Sequence, residues 1–209
     1  RPILETRLDA DDGLHIYYMQ YIQWAAVKRF KIPVAYEEEE DEEKEEGSDA
    51  AAESLPPPKW LYWCTRRHLE WHSSLNQTGG NANMDLTVGV LNPVEHSKLC
   101  VTPGLTVGYN SGVDASEVPV YSHDVLLTRV AKSKACYNEG SGDYSAAPGC
   151  LDLVERLLFC ALRSRTWTSA GMLNVPLDTK YLPGEELTEK LWELVEQRFT
   201  IEPARTQVT

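Results

Sequence analysis

No stretch of the chain approaches the roughly 18 consecutive apolar residues of a membrane-spanning helix, so no membrane segment is expected. Basic residues are scarce: Lys and Arg number 20 against 32 Asp and Glu, a formal charge of -12. That balance argues against nucleic acid as a partner, because phosphate binding needs a concentrated basic face. The five cysteines (Cys64, Cys100, Cys136, Cys150 and Cys160) include no C-x-x-C pair, and their number is odd. Neither a structural zinc site nor a complete disulfide framework follows. The reading is buried free thiols, with a Cys136–Cys150 bridge across a Gly/Ser-rich loop as the oxidised alternative. Internal repeats are absent as well.

What is present fits one globular domain. With 209 residues, 42% hydrophobic and 25% charged, the chain can bury a sizeable core. Much of its charge is local. Residues 37–46 hold nine acids and one Lys, a net of -8, which leaves only -4 for the rest. An Ala/Ser stretch and Pro56-Pro57-Pro58 follow, and little of this can be buried. Residues 37–58 are therefore expected to form a disordered acidic and Pro-rich insertion between 1–36 and 59–209. A solvated surface loop is the simpler reading, and an acidic docking segment at 37–46 for a basic partner is the functional one. The sequon Asn76-Gln77-Thr78 is compatible with a secretory lumen but too common to assign a compartment. Arg1-Pro2-Ile3-Leu4 leads straight into a strand-like pattern, as in a piece of a longer chain whose upstream segment could carry a signal or anchor.

Ile3–Leu8 alternates like a strand and then turns acidic at Asp9. Leu14–Phe30 carries its apolar residues at helical spacing, with Asp12 or Gly13 near the start. Lys59–Trp71 is a strand-like aromatic stretch passing into polar residues. Leu99–Tyr109 reads as two short strands around a Pro-Gly turn, Val125–Ala131 as a short apolar segment, and Asn138–Gly149 as a loop. Cys150–Arg163 and Glu185–Phe199 each place Leu and Val at three- and four-residue steps, which predicts two helices. Strands mixed with helices define an α/β sheet protein.

The chemistry concentrates in Leu8-Asp9-Ala10-Asp11-Asp12-Gly13. Three carboxylates directly after a strand repel one another unless a cation sits among them, and hard divalent ions prefer such oxygen ligands. In open α/β sheets, ligands collect beyond the carboxyl ends of the strands. Asp9 and Asp11 project the same way if the chain stays extended, so both could face one ion. An EF-hand does not fit, because Gly13 and Leu14 fall where its fifth-position ligand and its glycine belong. The bland alternative is that Asp12 caps the following helix while Asp9 and Asp11 are solvated.

The segment Thr6-Arg7-Leu8-Asp9-Ala10-Asp11-Asp12-Gly13-Leu14 resembles the D-x-D region of GT-A glycosyltransferases, and more narrowly that of a rhamnosyltransferase-like group. Arg163-Ser-Arg165-Thr-Trp-Thr168-Ser169-Ala-Gly171-Met172 is similar to the charged loop near the carboxyl end of those proteins. Tyr62-Trp63-Cys64 and Thr102-Pro-Gly-Leu-Thr106 fit the layout more loosely. The resemblance implies a GT-A-like mixed sheet flanked by helices, of which this chain is the carboxyl-terminal portion, because the nucleotide-binding half would precede Arg1. The acidic insertion is foreign to the pattern.

The implied reaction moves a sugar, rhamnose by the narrower resemblance, from a nucleoside-diphosphate donor to a hydroxyl of a glycan or other acceptor. Mn²⁺ or Mg²⁺ on Asp9 and Asp11 would neutralise the departing diphosphate, with Asp12 completing or orienting the shell. His123, in the polar patch Tyr121-Ser-His123-Asp124, is the candidate fourth metal ligand. Arg163 and Arg165 offer guanidinium forks, and Thr168 and Ser169 hydroxyls, to the diphosphate; an Arg-decorated helix end is the bland alternative. Asp124 and Asp85 are the first candidates for a general base, followed by Glu70. Trp60, Trp63 and Trp71 suit a core better than a sugar platform. A His68/His72 zinc pair would need a helix where the pattern reads strand. Two competing functions remain: a carboxylate-dependent hydrolase, and a non-catalytic interaction module that docks through the acidic loop.

Overall fold

In a computed structural model, which describes residues 1–10, 12–32, 56–72, 90–137, 144–165, 179–181 and 188–200, the chain is mixed α/β. Its elements are β1 (Ile3–Thr6), β2 (Asp12–Leu14), α1 (Tyr18–Arg29), β3 (Trp60–Cys64), β4 (Arg67–His72), β5 (Val90–His96), β6 (Thr106–Tyr109), β7 (Leu151–Leu153), β8 (Ala161–Arg165), β9 (Thr179–Tyr181) and α2 (Thr188–Phe199). They build two sheets, one ordered β1-β6-β3-β7 and one ordered β2-β8-β4-β5-β9. Both are mixed: β3 with β7 and β4 with β8 are parallel pairs, and the remaining pairs are antiparallel. Among the described residues no helix is long and apolar enough to cross a membrane.

Strand β3 organises the first sheet because all five of its residues are buried. Side chains alternate across a strand, so Trp60, Tyr62 and Cys64 enter one core while Leu61 and Trp63 enter another. The first core is closed by the loops between β6 and β7, where a single π-helical turn at Leu126–Val130 contributes Leu126 and Val130. The second is closed by α1, whose Tyr18, Ile22, Ala25 and Ala26 lie against the sheet. A strand buried on both faces reads as a continuous apolar run, which is why Trp-Leu-Tyr-Trp-Cys shows no polar alternation.

Several sequence expectations hold. β1, α1 and α2 fall within the predicted segments. Thr102-Pro103-Gly104-Leu105 is a tight turn in which Leu105 N–H donates to the Thr102 carbonyl at 3.0 Å. Gly104 sits there at φ +79°, a conformation that Pro-Gly turns require of their third residue. Only the second of the two strands expected around that turn forms, as β6.

Others are corrected. Cys150–Arg163 is not a helix: it supplies β7 and β8, separated by a loop in which Leu158 is exposed. Its backbone groups are taken by β3, with Tyr62 N–H donating to Cys150 and Val154 N–H to Cys64. Parallel pairing with a distant strand overrode a local helical spacing. Asp12 does not begin a helix either, because it lies in β2; the residue before α1 is Tyr17, whose side chain makes no cap bond. His68 and His72 lie on a strand, where four residues span about 13 Å, too far for one ion. Of residues 37–58, only Pro56, Pro57 and Pro58 are described. Pro58 is buried, and its carbonyl accepts from Asn110 Nδ2 at 3.3 Å.

The free-thiol reading of the cysteines is corrected, while the Cys136–Cys150 alternative holds. Four of the five form disulfides, Cys64–Cys100 and Cys136–Cys150, and all four lie in the first core. Cys160 alone is free, fully buried, and burial pushes its thiol up to about 12. A thiol reagent at neutral pH is therefore expected to count no thiol in the native protein and one after unfolding without reductant. Five thiols under the second condition would contradict both bridges.

Candidate functional site

The acidic segment follows β1, and β1, β3 and β7 all run in one direction. Their carboxyl ends therefore lie at one side of the first sheet, where the chain leaves for the second. At that point the chain reverses rather than extends: Asp12 N–H donates to the Asp9 carbonyl at 3.1 Å. Asp9 stands exposed where this reversal begins. Asp11 lies outside the described residues.

Asp12 then enters β2 and pairs in register with Arg163 of β8. Its Oδ2 lies 3.9 Å from Arg163 Nε, with the two side chains 4% and 20% exposed. At that distance the gross attraction is about 4 kcal/mol for an effective dielectric near 20. Desolvating the two ions costs several kcal/mol. The pair therefore fixes where the guanidinium sits more than it stabilises the fold. One residue expected near a cation and one expected on a diphosphate, far apart in sequence, are brought together here.

The same register continues across the sheet. Arg163 pairs with Glu70 of β4, and Glu70 with Asn92 of β5. The face of β4 bearing Leu69 and Trp71 packs with Leu91 and Leu162 against Leu191, Val195 and Phe199 of α2. Asp12, Arg163, Glu70 and His68 take the opposite face. His68 Nε2 lies 3.2 Å from Glu70 Oε1, their side chains 0% and 13% exposed. The His68 ring stacks on that of His96, centroids 5.2 Å apart and planes 11° from parallel. The period-two pattern His68-x-Glu70-x-His72 between Leu69 and Trp71 was the sequence signal for this polar face.

The remaining predicted residues are placed differently. Asp124 is exposed and accepts a short hydrogen bond from Ser122 Oγ, which holds its carboxyl below the usual range. It is a weaker base for that reason. His123 Nδ1 lies 3.0 Å from the Cys100 carbonyl; a carbonyl can only accept, so Nδ1 carries the hydrogen and Nε2 the lone pair of the neutral ring. That is the tautomer a metal-binding His adopts, yet among the described residues no group of three or more His, Cys, Asp or Glu is placed to hold an ion. Arg165 pairs in register with His72, and its side chain lies outside the described part. Asp85, Thr168 and Ser169 lie outside it altogether. Trp60 and Trp63 are core residues, and Trp71 is partly buried against Trp192 of α2.

For a divalent ion the donor chemistry fits in part: the acidic turn offers hard oxygens, beginning with the exposed Asp9 carboxylate. Asp12 is turned to Arg163, which suits an orienting role better than direct ligation. Comparison with protein-family models, with curated proteins and with solved structures finds no match for this chain.

Proposed function

We propose that this chain is a GT-A-like, metal-dependent glycosyltransferase. It moves a sugar, rhamnose by the resemblance of its Asp segment, from a nucleoside-diphosphate donor to an acceptor hydroxyl. One observation supports the reading: the strand that follows the acidic segment sets Asp12 in register with Arg163, so the end of that segment lies beside a guanidinium. Asp9 and Asp11 would hold Mn²⁺ or Mg²⁺, which supplies Lewis-acid neutralisation of the diphosphate. Arg163, positioned by Asp12, contributes a guanidinium to the phosphate oxygens. A hydrolase using Asp12 and Glu70 is disfavoured, because the two acids stand on one sheet face with Arg163 between them, whereas glycoside hydrolysis needs acids facing each other across the bond.

The test is a thermal shift of the full chain with Mn²⁺ and UDP, GDP or dTDP. At 100-fold excess over Kd the matching diphosphate is expected to add about 2.7 kcal/mol, a rise of roughly 5–10 °C for a chain of this size. Asp11→Ala should abolish the Mn²⁺ response, and Arg163→Ala should weaken diphosphate binding by about tenfold or more. A protein whose melting temperature ignores Mn²⁺ and all three diphosphates is not this enzyme.

A further inference from the structure

We infer that His15 is an acid-sensitive latch. Neutral, its ring closes the junction of β2, α1 and α2; on gaining a proton it loosens that junction and the strand that carries Asp12. The latch works whatever reaction the chain performs.

His15 follows β2 directly and stands three residues before α1 begins. His15 N–H donates to the Cys160 carbonyl at 3.0 Å, one step beyond the Leu14–Ala161 pair of β2 and β8. Ile16 N–H donates to the Arg198 carbonyl of α2 at 2.9 Å, and Tyr18 N–H to the His15 carbonyl at 2.8 Å. Two consecutive residues thus tie a strand, the start of one helix and the end of the other. β2 lies at the edge of its sheet, with β8 as its one neighbour, so its hold depends on these ties.

The ring adds a bond that only its neutral form can make. Tyr17 N–H donates to His15 Nδ1 at 3.1 Å, so Nδ1 keeps its lone pair and the hydrogen of the neutral ring sits on Nε2. Tyr17 precedes α1 without a side-chain cap of its own, and a helix start leaves such N–H groups unmatched. An imidazolium carries hydrogen on both nitrogens and would set one N–H against another.

The surroundings oppose the proton as well. His15 is 7% exposed, and its ring meets that of Phe199 edge to face, centroids 6.1 Å apart. The titratable groups around it are Arg198 on α2, Tyr17 at the entry to α1, with rings 5.7 Å apart, and Cys160 before β8, bound through its carbonyl. Of these only Arg198 is charged, and its sign repels an imidazolium. Burial, and after it Arg198, hold the ring below its ordinary pKa of 6.5. The junction therefore has its full stability above about pH 6.5. As the pH falls further, the unfolded chain takes the proton first, and stability drains away until the folded ring is protonated too.

The experiment is urea unfolding of the full chain from pH 8 to pH 5, beside amide exchange and nitrogen NMR of the imidazoles. His15→Asn is the reference, because its Oδ1 can replace Nδ1 as acceptor and takes no proton. Below pH 6.5 the unfolding constant of wild type should rise over that of His15→Asn by up to about tenfold per pH unit. Protection of the Ile16 and Tyr17 amides should fall first. Arg198→Gln should raise the His15 pKa and shrink the difference. If His15→Asn does not fold, the ring's titration in wild type and Arg198→Gln decides the matter. A His15 pKa at or above 6.5, or a hydrogen on Nδ1 of the neutral ring, would overturn the latch. So would equal pH responses of wild type and His15→Asn, or protection lost no sooner at Ile16 and Tyr17 than in β3.

Discussion

Reducing the two disulfides is expected to lower the melting temperature by about 14–28 °C, the largest stability change we foresee. Each bridge restricts the unfolded chain in proportion to the logarithm of the loop it closes. Cys64–Cys100 closes a separation of 36 residues and Cys136–Cys150 one of 14. Loop entropy then assigns them about 4 and about 3 kcal/mol respectively, and a chain of this size loses roughly 2–4 °C per kcal/mol. Calorimetry with and without reductant, beside the paired Cys→Ala variants, checks this directly. The Cys64/Cys100 variant should fall further than the Cys136/Cys150 variant, and an unchanged melting temperature on full reduction would contradict the bridges. Such bonds persist in oxidising compartments, so expression in a reducing cytoplasm should yield the less stable form.

The second large effect belongs to Trp63. It is 1% exposed, meets Phe30, the residue that follows α1, edge to face with centroids 5.9 Å apart, and overlies Gly108 of β6. Trp63→Ala should cost about 3–5 kcal/mol in urea unfolding, through lost burial and the cavity left behind. Gly108 is the complement of that ring. A Cβ added there would stand 2.7 Å from Trp63 Cζ3, 2.8 Å from Leu4 Cδ2 and 3.0 Å from Phe30 Cε2. Gly108→Ala should accordingly cost about 1–3 kcal/mol. Combined with Trp63→Phe, which frees space at the same spot, its cost should shrink, and strict additivity of the pair would refute the fit.

Much of the fold could be read from local pattern. The stripe of Leu191, Val195 and Phe199 marks α2, and the apolar run Trp60–Cys64 marks a strand buried on both sides. What escaped depends on partners distant in sequence. Leu151, Val154 and Leu157 have helical spacing, yet β3 and β4 claim the backbone on either side of them. Cys64 and Cys100 meet because Val101 N–H donates to the Thr65 carbonyl, a contact no spacing rule announces.

The candidate site divides along the same line. The Asp9–Asp12 segment was recognisable because its acids are neighbours in sequence. Its union with Arg163 depends on the β2–β8 register, which is non-local. Asp124 drew notice through polar neighbours and proved to be tied to one of them, Ser122. Glu70 carries no local signal beyond the alternation of β4.

Thr65 and Arg66 form the whole link between β3 and β4. The Thr65 hydroxyl pins that link, accepting from Arg67 N–H at 3.1 Å and donating to the Arg67 carbonyl at 3.0 Å. These two positions therefore count out which residues of β4 meet α2 and which take the polar face. One residue inserted there would reverse the count, turning Leu69 and Trp71 to the polar face and driving His68 and Glu70 into the apolar layer beneath α2.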